Sequence, residues 1–117
     1  MVNKMTVDFD MYAGDSKILR IICVDEDDNN SPIDLLNAQD MNFSITNFNG
    51  GSDSKLVTKT ISDIGIEGLD DNIAVITLME TDTEDLYGKY QYYFQVQDFG
   101  GKKFTKSGLC IININGI

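Results

Sequence analysis

Hydrophobic and polar positions alternate along much of this chain, most clearly in KYQYYFQV. There Tyr90, Tyr92, Phe94 and Val96 fall on one side and Gln91, Tyr93, Gln95 and Gln97 on the other. Successive side chains of a strand point to opposite faces, so this period of two predicts a β-strand with a buried aromatic face and leaves Tyr93 outside. The same alternation predicts strands in SKILRIICVD, where Leu19, Ile21 and Cys23 oppose Ile18, Arg20, Ile22 and Val24, and in MNFSI, where Met41, Phe43 and Ile45 turn inward. KLVTKTI, NIAVITL and KKFTKSGLCIININ complete the set. Turn-rich segments separate them: DEDDNNSP, NFNGGSDS, IEGLDDN and DFGGKK. This spacing predicts an all-β sandwich rather than an alternation of strands and helices.

One segment departs from the strand pattern. TDTEDL, residues 81–86, predicts a short helical turn in which Thr81 and Glu84 form a capping box. Leu86 then closes the end of the sandwich and Gly88 turns the chain into the next strand. Immunoglobulin-like sandwiches carry at this corner a tyrosine whose hydroxyl bonds back to upstream backbone. Tyr90 is assigned that role, with Tyr92 where an antibody domain has its second cysteine. The predicted fold is therefore an immunoglobulin-like antiparallel β-sandwich of about seven strands, a single domain over residues 1–117. In DFGGKK, Asp98 opens a hairpin loop and Gly100 or Gly101 supplies the positive φ; Gly50 and Gly51 read as hairpin glycines too. Gly108, alone inside the last strand, predicts a bulge or a close approach to a core tyrosine.

Charge narrows the partners. The net charge is −10, the sequence pI is about 4.1, and the nine Lys and Arg are scattered. Nucleic-acid binding needs clustered cations that displace counterions, so neither nucleic acid nor an anionic membrane surface is an expected partner. The first residues, MVNKMTVDFDMYAGDSK, hold no apolar run that would serve as a signal-peptide core, and synthesis in the cytosol without such a signal is expected. Cys23 and Cys110 lie in apolar, strand-like surroundings and read as buried free thiols.

The chain has no histidine and no G-x-S-x-G elbow, and nothing places its carboxylate pairs in a cleft, so a non-enzyme without cofactor is expected. DEDDNNSPIDLL sets Asp25, Asp27 and Asn29 at ligand positions of an EF-hand loop. It then puts Asn30 where glycine is required and Leu36 where the closing glutamate belongs. A looser calcium site from Asp25, Asp27, Asp28 or Asp70 and Asp71 is the alternative to a solvated acidic turn. Tyr93, Phe99 and Tyr87 are the aromatics left for the surface, either as interface anchors or as a platform for sugar rings.

The order of these signals resembles the amino-terminal domain family of the upper baseplate protein of tailed phages of Gram-positive bacteria, and similar small phage tail domains. The matching features are Gly14-Asp15 before the first long strand, the acidic turn after Val24, PIDLLNA (Pro32 to Ala38), and the strand of Phe43 and Ile45. They continue with the turn from Thr81 to Leu86, Gly88-Lys89-Tyr90, Asp98 with its glycine turn, and Thr105 to Gly108 before an apolar strand. The resemblance covers nearly the whole chain and implies a structural adaptor in the virion tail, assembled in the host cytoplasm. Such a module docks on phage tail or baseplate proteins, or on a second copy of itself, and carries receptor-binding parts. The chain stops at NINGI, where fuller members continue. The alternative from another class is a carbohydrate-binding module that attaches to a bacterial surface.

Overall fold

The computed structural model describes residues 7–47 and 55–113; Gly50, Gly51 and residues 114–117 of the NINGI end lie outside them. The elements in chain order are β1 (Val7–Tyr12), β2 (Lys17–Ile22), β3 (Val24–Asp25), β4 (Ser31–Pro32), β5 (Asp40–Asn47), β6 (Lys55–Thr60), β7 (Gly65–Glu67), β8 (Ile73–Leu78), α1 (Glu80–Thr83), β9 (Gly88–Gln97) and β10 (Lys103–Asn113). Seven of the strands have six residues or more, which agrees with the expected number. They form a five-stranded sheet in the order β1-β10-β9-β5-β6 and a three-stranded sheet in the order β2-β8-β7, with β3 and β4 as a short ribbon at one end. Two sheets joined in this order make an immunoglobulin-like sandwich, with β5, β9 and β10 in the places of strands C, F and G and β2, β8 and β7 in those of B, E and D.

The alternating residues meet between the sheets. Met41, Phe43 and Ile45 of β5 pack with Tyr92, Phe94 and Val96 of β9 and with Cys110 and Ile112 of β10. From the small sheet come Ala74, Ile76 and Leu78, joined by Leu19 and Ile21. Burying this apolar area is the dominant favourable contribution to folding. Ile33 and Leu35 close the core near the β3–β4 ribbon.

Two features differ from the reading of the sequence. The strand β1 lies in a stretch, VDFDMY, read above only for a signal peptide, although Phe9 and Met11 there alternate with Asp8, Asp10 and Tyr12. It pairs with β10 in parallel, while the other ladders are antiparallel. A four-residue turn, residues 13–16, joins β1 to β2 in the opposite sheet, and β1 runs in the same direction as β10. The helical turn also begins earlier than the Thr81 to Leu86 segment. Its carboxylate cap is Asp82, which accepts the Met79 N–H at 2.6 Å, in place of a box between Thr81 and Glu84. Tertiary partners select that register. Lys59, on the inward side of β6 opposite Phe43, reaches Asp82 at 2.8 Å, and the buried Thr83 hydroxyl accepts the Gly14 N–H at 3.2 Å.

The lone glycine of β10 lies where the core tyrosine needs room. A Cβ on Gly108 would stand 2.8 Å from Cε2 of Tyr92 and against the Asp8 carboxylate. The hairpin between β9 and β10 turns at Gly101, whose φ is +92°, and Asp98 closes it by accepting the Lys102 N–H at 2.8 Å.

Candidate functional site

The corner before β9 is built as a unit. Leu86 packs partly buried against the core, and Gly88 at φ +115° redirects the chain into the sheet. The Tyr90 hydroxyl then turns back on the backbone of Tyr87, accepting its N–H at 2.8 Å and donating to its carbonyl at 3.0 Å. A side chain that satisfies both groups of one peptide residue stands in for a missing ladder. A Tyr90→Phe chain, which leaves both groups to solvent, is expected to lose about 1 kcal/mol of stability, measured as a lower urea midpoint at unchanged m.

The surface aromatics do not converge. Tyr87, 67% exposed, precedes β9, and Phe99, 79% exposed, follows it. The ten residues of β9 between them extend roughly 33 Å at about 3.3 Å each. Tyr93 lies midway on the outer face of the large sheet, half-buried between Ser44 and Ser107. Phe99 is held by its carbonyl, which accepts from Gln39 Nε2 at 2.7 Å, while its side chain stays in solvent.

The acidic turn is answered by a lysine. Asp25 accepts the Asp27 N–H at 3.0 Å, and the carboxylates of Asp25 and Asp27 meet Lys102 Nζ at 3.1 and 3.5 Å. The hydrogen bond to Asp25 is the main cause of a raised Lys102 pKa. Asp28 accepts instead from Ser31 at 2.9 Å, and Asp70 and Asp71 sit on the separate turn between β7 and β8. Among the described residues no three His, Cys, Asp or Glu side chains gather as a metal cage. Beside this turn a cleft of about 610 Å³ opens between β2–β3 and the start of β10, with Phe94, Val96 and Ile33 at its base. Asp25, Glu26 and Asp27 line it together with Lys102, Lys103 and Lys106.

Cys23 and Cys110 are free and buried. Burial pushes the Cys23 thiol up to about 11, partly offset by a backbone hydrogen bond from Ala74; burial and the nearby Asp8 charge push Cys110 to about 12. Both are protonated at neutral pH. A folded pKa above the unfolded value of about 8.5 stabilises the fold below that pH, and the contribution is lost as pH rises through the folded values. The urea midpoint is therefore expected to fall above about pH 8.5, and a Cys110→Ala chain to show a shallower decline.

One surface was not singled out in the sequence. On the outer face of the small sheet, Ile18, Arg20 and Ile22 of β2 lie opposite Thr77, Val75 and Ile73 of β8. Ile18 is 51% and Ile22 69% exposed, with Leu69 and Met79 exposed at the rim. Arg20 crosses β8 to Glu67 of β7 at 2.9 Å. The signal was present in ILRII, where both faces of one strand are apolar. An all-β sandwich with one apolar sheet face turned to solvent is the class of protein that fold and surface define. The chain matches no family model, no curated protein and no solved structure.

Proposed function

We propose that this chain is a non-enzymatic structural or adaptor module of a phage or prophage tail or baseplate, acting by protein–protein contact. The observation that carries the reading is the exposed isoleucine face of β2 and β8 on a protein of net charge −10. Acidic surfaces keep a chain dispersed, and a solvent-facing apolar patch is where it meets a partner. The resemblance in the order of turns and strands supplies the tail setting, with assembly in the host cytoplasm and residence in the virion. The spread of Tyr87, Tyr93 and Phe99 along β9 argues against the carbohydrate-binding alternative, because a sugar platform needs neighbouring rings.

Mass spectrometry of particles purified after prophage induction in the source organism tests the reading. The expected result is this chain at a fixed copy number per particle. Its absence from otherwise complete particles would overturn the proposal.

A further inference from the structure

We propose that the outer face of the β2-β8-β7 sheet is a self-association surface on which two copies of this chain pack face to face about a two-fold axis. The inference deepens the contact reading above by naming the occupant of its main apolar surface, and it rests on that reading only for the expectation that the face is used.

Charge is the first argument. The outward positions of the sheet are Ile18, Arg20 and Ile22 on β2, Ile73, Val75 and Thr77 on β8, and Gly65 and Glu67 on β7. They carry one charge of each sign, whereas the whole chain is at −10. Two copies repel over most of their surface, and this face is neutral. The sheet is also self-complementary. A two-fold axis along β8 lays β2 of one copy over β7 of the other, so that Ile73 and Val75 meet their own counterparts on the axis. Arg20 then passes over Gly65 of the second copy toward Glu67 of that copy, and the exchange is reciprocal, as two-fold symmetry requires. A two-fold axis across the strands would set Arg20 against Arg20, which like-charge repulsion disfavours.

Size sets the strength. β2 and β8, six residues long, and β7, three residues long, present roughly 250 Å² in projection at a spacing of about 4.8 Å, and even with the rim residues Leu69 and Met79 this is below the roughly 800 Å² per partner of a standard specific interface. The dimer is therefore weak, with dissociation in the micromolar to millimolar range. Sheets stacked in this way lie about 10 Å apart, with Ile18 and Ile22 filling the space between them.

Sedimentation equilibrium of the full chain, up to about 1 mM in about 0.15 M salt to screen the net charge, tests this. The wild-type chain is expected to show a monomer–dimer equilibrium. Ile22→Ser is expected to weaken it at least tenfold with an unchanged melting temperature, since the side chain is exposed. Arg20→Glu and Glu67→Arg each set like charges across the axis and are expected to be monomeric alone. In an equimolar mixture of the two, the new carboxylate of the first variant faces the new guanidinium of the second. The unaltered Glu67 of the first likewise faces the unaltered Arg20 of the second, and the mixture is expected to recover dimer.

A wild-type chain that stays monomeric throughout would overturn the proposal and leave the face to a different protein. So would an Ile22→Ser chain that associates like wild type, or a mixture of the two charge variants that stays monomeric. These results are independent of the particle measurement: a monomer says nothing against residence in the tail, and absence from particles says nothing against the dimer.

Discussion

A Gly108→Val chain is expected to be about 3 kcal/mol less stable than wild type, at the upper end of what overpacking costs, and to melt roughly 10–15 °C lower. The obstacle is the Tyr92 ring. A Cβ at position 108 would stand 2.8 Å from its Cε2 and 3.0 Å from its hydroxyl. Asp8, which the same Cβ would meet, is an exposed side chain and can swing away. Tyr92 cannot. Its ring is tilted against Phe9 at 5.6 Å between centroids and stacked on Phe43 at 6.0 Å, and its hydroxyl donates to Asp8 at 2.5 Å. Burial and the Asp8 carboxylate raise the Tyr92 pKa, so that hydrogen bond is maintained throughout the neutral range. Urea denaturation measures the loss. Adding Tyr92→Leu should return part of it, so the two substitutions are expected to be non-additive, as for residues in direct contact. Strict additivity would show that the ring is not what glycine makes room for.

Phe43→Ala is expected to cost about 4 kcal/mol, the usual range for emptying a fully buried aromatic position. Phe43 has no exposed surface and sits at the centre of β5, opposite Phe94 on β9 and Lys59 on β6. Its ring supports Tyr92, so the cavity would open beside the residue that packs on Gly108. Phe99→Ala removes the same side chain from the solvent-exposed tip of the last hairpin and is expected to change stability by no more than about 0.5 kcal/mol. Denaturation curves of the two variants side by side check the assignment of the core. Equal losses would contradict it.

The two positions also show how much could be read in advance. Phe43 is one of a run of alternating apolar residues, and alternation specifies a face whatever the strand's partners are. The lone glycine in β10 announced a bulge or a close approach, because glycine weakens a strand unless something needs its missing side chain, and the structure shows the close approach. Tyr90 was legible from its place two residues after Gly88 at the corner that follows the helical turn. The contact face was not, because Ile18 and Ile22 look like core residues in any local reading. Their exposure follows from the small sheet having no third layer outside it among the described residues. The capping register of α1 was misread for a related reason: Thr81 and Glu84 have the right spacing, but Lys59 is 23 residues upstream of Asp82 and favours the carboxylate it can reach.

By itself the sequence determined the all-β class, the inward faces of β5 and β9, the hairpin at Asp98 to Lys102, and an acidic surface unsuited to polyanions. Each of these depends on period, turn chemistry or charge, which are properties of neighbouring residues. The tertiary structure alone decided that β1 joins β10 in parallel, that Asp82 caps the helical turn, and that Tyr87, Tyr93 and Phe99 lie apart along one strand. It also decided that Ile18 and Ile22 face solvent together with Arg20 and Glu67. Those outcomes depend on which sheet edges and faces are left open once the core has closed, and that is a property of the whole chain.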